Sequence, residues 1–191
     1  RMKKIYSVFV LVCISCFANA QSILMSNSFS TSLNTFTAAN GSSGNWVWSN
    51  SCAQSTAIGH SGPGHAMYQG SGCQFGNGAN TVSGDLITPS VTLPPLGGTL
   101  TFNYYIANEC ISGSCFYDVL SVQISTNNGV SYTTVINSDS SPGGMVNTST
   151  WTPLSFNLSS YGNQTVKFKF NFRSEEHTSE LQSQFRISYA V

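Results

Sequence analysis

Charge is what this sequence has least of. Seven basic and seven acidic side chains serve 191 residues, and they crowd the ends: Arg1, Lys3 and Lys4 in front, Arg173, Glu175, Glu176, Glu180 and Arg186 behind. Residues 21–172 keep six, namely Asp85, Glu109, Asp118, Asp139, Lys167 and Lys169. Two cations in that span cannot build a basic groove, which excludes nucleic-acid binding by phosphate neutralisation. A net charge of zero likewise offers no cationic patch to an anionic membrane. An apolar run of about 20 residues is missing, so no transmembrane anchor is expected in this fragment. A repeat of roughly 20–50 residues is missing too, which sets aside solenoids and propellers, and residues 21–172 lack helical periodicity.

What stands at the front is a secretion signal. Met2, Lys3 and Lys4 lead into the apolar run Ile5–Phe17, broken by Ser7 and Ser15, and Ala18-Asn19-Ala20 closes it with small residues. These are the three parts of a signal peptide, so residues 1–20 are read as one, with Arg1 ahead of the start methionine and cleavage near Ala20. The mature chain then begins at Gln21 and is secreted, extracellular or held on the outer cell surface. Cys13 and Cys16 leave with the signal, and their C-x-x-C spacing is no redox motif.

The back differs again. Arg173–Ser183 (R-S-E-E-H-T-S-E-L-Q-S) and Ile187–Val191 (I-S-Y-A-V) look like the conceptual translation of a common short-read sequencing adapter, with Gln184, Phe185 and Arg186 where a variable index falls. Residues 173–191 are therefore read as a non-native tail, and residues 21–172 as a domain truncated at its C-terminal end. His177 and the three tail glutamates are left out of any site. The tail is expected to lack a consistent place in the core, and the fragment to be aggregation-prone.

Between the two ends, apolar and polar residues alternate with period two. Leu100, Phe102, Tyr104 and Ile106 form one such series; Leu120, Val122 and Ile124 form a second; Val166, Phe168, Phe170 and Phe172 form a third. Each puts apolar groups on one sheet face and polar groups on the other, as antiparallel sandwich strands require. Asn127-Asn128-Gly129 separates the second series from Val130–Ile136 with residues that tolerate positive φ, the mark of a tight hairpin. Further strands are expected at Trp46–Ser49, Ala66–Gln69, Gly84–Thr88 and Thr152–Leu158. About eight short strands joined by Gly, Ser, Asn and Pro imply an all-β, antiparallel β-sandwich of jelly-roll type. The Gly-rich stretches Asn40–Gly44 and Gly70–Asn80 lie between strand-like runs and read as loops within one domain.

Four cysteines remain in the mature region, Cys52, Cys73, Cys110 and Cys115. Behind a signal peptide an even count points to two disulfides; three pairings are open, and proximity favours Cys52 with Cys73 and Cys110 with Cys115. A four-thiolate zinc site fits less well, because the spacings are irregular and the compartment is oxidising.

Catalytic constellations are scarce. Gly59-His60-Ser61-Gly62-Pro63 approaches a nucleophile elbow, but its fifth residue is Pro63 and no strand-to-helix context surrounds it. His60 and His65 could pair on a metal, yet no acidic third ligand lies near them in sequence, and local hydrogen bonding is the plainer role. Glu109 and Asp118 flank the Cys110 to Cys115 loop and suit loop hydrogen bonds or a structural Ca²⁺ better than a glycosidase pair. The aromatics are better placed for binding. Trp46 and Trp48 share one face of a strand, with core packing the plainer role, and Tyr105 and Tyr117 are the surface candidates for stacking on a sugar. The N-x-S/T strings at Asn40, Asn147, Asn157 and Asn163 are read as polar loop composition.

One order of segments is diagnostic: W-V-W-S at Trp46, a Gly/His loop leading to A-M-Y at Ala66, S-G-D-L-I-T-P at Ser83, L-T-F-N-Y-Y at Leu100, Y-D-V-L-S-V-Q-I-S-T at Tyr117, N-N-G-V-S-Y at Asn127 and W-T-P-L-S-F-N-L-S at Trp151. It resembles the MAM-like jelly-roll family, in particular the cleaved-adhesin or choice-of-anchor J domains of secreted Bacteroidetes proteins. The resemblance implies a non-catalytic recognition or adhesion module that binds glycan or a surface protein. An accessory domain of a secreted hydrolase or peptidase, or a structural spacer of a larger adhesin, are the alternatives. It also implies a structural Ca²⁺, with Asp118 at the family's Y-D-x-L position; the acid expected near the first strand is replaced by uncharged groups at Asn27–Ser30. The family's closing G-W-Y-I-D-D-like strand is not found.

Overall fold

The alternating series become the two inner walls of a sandwich. In the computed structural model, residues 22–40, 45–50, 64–69, 82–107, 118–138, 144–146, 148, 150–174 and 184–190 are described. The four mature cysteines, Glu109, Tyr117 and the G-H-S-G-P string lie outside the described residues. The short strands of the N-terminal half are β1 (Ser26–Asn27), β2 (Thr37–Asn40), β3 (Asn45–Ser49), β4 (His65–Gln69), β5 (Val82–Ile87) and β6 (Val91–Thr92). Longer ones follow: β7 (Thr99–Ala107), β8 (Asp118–Ser125), β9 (Thr133–Asn137), β10 (Thr152–Asn157), β11 (Thr165–Ser174) and β12 (Gln184–Ala190). One sheet runs β10-β7-β12-β4-β3, with β1 joined to β12; the other runs β2-β5-β11-β8-β9, with β6 joined to β11. Neighbouring strands pair antiparallel throughout. The all-β, antiparallel sandwich expected from period-two alternation is the fold.

All eleven residues of the three apolar series are buried in one core. Phe102 of the first sheet meets Phe170 of the second edge to face, with ring centroids 5.4 Å apart at 83°, and Tyr68 lies 4.7 Å from Phe172. Such aromatic pairs add roughly 0.5–1.5 kcal/mol each beyond the area they bury, so they fix how the sheets face one another. The expected hairpin is present. Asn128 and Gly129 both take positive φ, 59° and 90°, which matches the right-handed twist of the flanking strands. Ser125 Oγ accepts from the amide of Gly129 at 2.8 Å and Asn127 Oδ1 accepts from that of Ser131 at 3.0 Å. These local bonds hold Val130–Tyr132 out of the ladder, and the second arm therefore begins at Thr133, three residues later than alternation implies.

The tail expectation is corrected. Gln184–Ala190 is a strand inside the first sheet, paired with β7 over seven residues, with β4 over three and with β1 over two. The expectation of no consistent place leaned on the four charges of Arg173–Ser183 and on that stretch's want of alternating apolar residues. Beyond it, Phe185, Ile187 and Tyr189 alternate with Gln184, Arg186 and Ser188, and a segment of that period suits the gap between β7 and β4, where two rows of backbone donors and acceptors need partners.

Candidate functional site

Chemistry-bearing side chains gather on the outward face of the second sheet. Inward positions of β5, β11 and β8 are apolar, so the intervening residues must point away from the core. Strand register aligns them in rows. One row runs Ala39, Asp85, Asn171, Ser121, Asn137 across five strands; the next runs Thr37, Ile87, Lys169, Gln123, Thr134. Asp85, Asn137, Asn171, Lys169 and Gln123 are all half-buried, which holds them in place and leaves them open to solvent.

Their mutual bonds set the geometry. Asn171 Nδ2 donates to Asp85 Oδ1 at 2.7 Å, and Lys169 Nζ lies 3.4 Å from Asp85 Oδ2. With the lysine and aspartate side chains 17% and 26% exposed, this ion pair is partly shielded and stiffer than a free surface pair. Lys169 Nζ also stands over the ring of Tyr132, 4.4 Å from its centroid, in cation–π contact. Burial, then the negative charge of Asp85, pushes the Tyr132 phenol above its usual pKa, so it stays a neutral donor and acceptor. Gln123 Nε2 donates to Ser121 Oγ at 3.1 Å. Four strands carry the row from Asp85 to Asn137, a span of roughly 15 Å at the usual strand spacing. Chemically this is a shelf of amides and hydroxyls with one carboxylate, one aromatic ring and cations beside it.

Of the residues singled out in the sequence, Trp46, Trp48 and Tyr105 fall elsewhere, and Tyr117 and Glu109 lie outside the described residues. Trp46, 2% exposed, lies inside the sandwich with its Nε1 donating to Gly84 O at 3.1 Å; Trp48 packs on the same core and donates to Phe29 O at 2.5 Å. The two do share a face, and it is the inner one. Tyr105 is placed outward by the alternation, but the surface position expected for it is corrected: it is 4% exposed beneath Trp151, ring centroids 6.4 Å apart. Trp151 also meets His65 at 6.0 Å, and His65 and Met67 are buried on this outward side. Alternation names a face and cannot say that the outer face of the first sheet is covered. Asn171 and Asp85 carried a signal the sequence reading passed over, polar residues at alternate positions of two strands.

The implied calcium fits poorly near the first strand. Asn27 is buried; its Oδ1 accepts from the Phe29 amide at 2.9 Å and from Asn34 Nδ2 at 2.7 Å, and its Nδ2 donates to Leu33 O at 2.9 Å. A hard cation needs six to eight oxygens turned toward it, whereas this carboxamide is already saturated by its own loop. Among the described residues no group of three or more His, Cys, Asp or Glu is arranged for a metal. Asp118 opens β8 opposite Ser174.

No family model matches the chain, and no curated protein matches it. Solved structures do. The K1 cleaved adhesin domain of Lys-gingipain from Porphyromonas gingivalis W83 superposes with a TM-score of 0.56 at 21% identity, covering 87% of this chain and 95% of that one. The carbohydrate-binding module TmCBM61, solved with beta-1,4-galactotriose, gives 0.53 at 12% identity over 90% and 99%. The K3 cleaved adhesin domain of the same gingipain gives 0.50 at 13% identity over 88% and 97%. These likenesses establish the sandwich fold. Among the described residues no helix is long and apolar enough to cross a membrane.

Proposed function

We propose that this chain is a secreted or cell-surface recognition module of the cleaved-adhesin, MAM-like kind, non-catalytic, binding glycan through the outward face of its second sheet. The observation that carries the reading is the set Asp85, Asn171 and Asn137 beside Lys169, Gln123 and Tyr132, all half-buried on packed strands, with Ser121 buried between them as a support for Gln123. Sugars offer adjacent hydroxyls that both donate and accept; amides and hydroxyls answer both roles, and an ionised carboxylate accepts from two hydroxyls at once. Strands hold such groups more rigidly than loops do. An adhesin domain and a glycan-binding module among the fold's neighbours support the reading by analogy of fold. Secretion rests on the front segment, and two disulfides among Cys52, Cys73, Cys110 and Cys115 belong to the same picture.

A glycan array probed with the full chain tests it. Binding to one glycan class is expected, and the variants N171A and Q123A, folded by circular dichroism, should each lose most of the signal. Binding that survives both substitutions places recognition away from this face, and no binding to any glycan removes the reading.

A further inference from the structure

We infer that the outward face of the second sheet selects an anionic glycan, one whose sugars carry carboxylate or sulfate groups, over its neutral counterpart. The inference rests on the recognition reading above and is about what that face takes. Its basis is where the cations lie. Among the side chains described, the cations are Lys167, Lys169 and Arg173, and all three occupy alternate, outward positions of β11. The chain is neutral overall and nearly free of charge between residues 21 and 172, yet both cations of that span stand on this one face.

Lys167 and Lys169 are next-but-one neighbours on a strand, about 7 Å apart, closer than the screening length of about 10 Å at moderate salt. An anionic group bound near either therefore feels both. Asp85 offsets Lys169 in part, through the 3.4 Å pair, and its other oxygen is held by Asn171. Lys167 has no ion-pair partner among the described residues; it stands opposite Ser125, with its stem beside the hairpin at Gly129, and is half-buried. The uncommitted cation thus sits one step along the strand from an amide and hydroxyl shelf. A pyranose placed with its hydroxyls on Gln123, Asn171 and Asp85 brings a ring substituent toward Lys167 and Lys169. Two such cations suit one anionic group per sugar or two. They are too few for a nucleic acid, whose dense phosphates the Asp85 carboxylate would also repel.

Calorimetric titration of the full chain with three oligosaccharides of equal length tests this: an oligogalacturonate, a sulfated galactan fragment and a neutral galactan fragment. At least one anionic ligand should bind about fivefold tighter than the neutral one, as expected for one or two exposed ion pairs. That ratio should fall toward one as salt rises from about 50 to about 500 mM. The variant K167Q should narrow the ratio about threefold and K167R should restore it. Preference for the carboxylate or for the sulfate identifies the anion, and either supports the inference. Equal or tighter binding of the neutral fragment, or a ratio unmoved by K167Q, overturns the inference and leaves glycan recognition standing. If none of the three binds, the inference falls; the recognition reading falls with it only if the array is blank as well.

Discussion

Trp46 and Gly84 join the two sheets: the indole Nε1 of Trp46, on β3, donates to the carbonyl of Gly84, on β5, at 3.1 Å within the core. The Tyr68 ring packs on both, 5.8 Å from the Trp46 ring and so close to Gly84 that a Cβ there would lie 2.6 Å from its edge. One polar bond and one missing side chain thus set the spacing of the sandwich at this end, behind the sheet face that carries Asp85.

Trp46→Phe keeps an aromatic ring and removes the donor, leaving a buried carbonyl without it. A loss of about 1–3 kcal/mol is expected, read as a lowered urea midpoint with unchanged slope. An unchanged midpoint would show that the tie contributes nothing.

Gly84→Ala should destabilise by about 1–3 kcal/mol through overpacking against Tyr68. Tyr68→Leu, which removes the ring that the added Cβ would meet, should relieve most of that added cost, giving a coupling well above 0.5 kcal/mol in a double-mutant cycle. Simple additivity would place the strain elsewhere.

Burial pushes the Tyr68 phenol from 10.0 up to about 12. The folded state then holds that proton more tightly than the unfolded chain, so its contribution is complete below pH 10 and declines as pH climbs toward 12, by about 2–3 kcal/mol. Wild type minus Tyr68→Phe, followed by denaturant titration across that window, should show the decline. A difference that is flat with pH would contradict it.

Asn27→Asp keeps the two accepted bonds and loses the donation to Leu33 O, setting a carboxylate against a carbonyl now 2.9 Å from the amide nitrogen. About 1–3 kcal/mol should be lost at neutral pH. Burial raises the new carboxyl's pKa, and the protonated acid can donate again, so the deficit should be full above that pKa and shrink as pH falls through it. A deficit growing on acidification would exclude this account.

Deleting residues 175–191 removes β12 and leaves β7 and β4 as open edges, splitting the first sheet between them. The shortened chain should elute as oligomers or melt without a cooperative transition, since unpaired edges recruit other chains. A monomer melting like the full chain would mean that β12 adds nothing to the sheet.

Alternation alone determined much of this protein. Leu100, Phe102, Val122, Phe168 and Phe170 announce their side of a strand because a two-residue period leaves an apolar series nowhere to go except a common face, and Asn128-Gly129 announces its turn because few residues tolerate positive φ. Scarcity of charge was equally legible. Which strands become neighbours was decided only by the tertiary structure: Asp85 meets Asn171, 86 positions along the chain, through backbone pairing that no local pattern encodes. The same holds for cover. Tyr105 and Lys169 both point outward, yet Trp151 closes over the first while the second stays half-open, because burial of an outward face depends on what packs there from elsewhere in the chain.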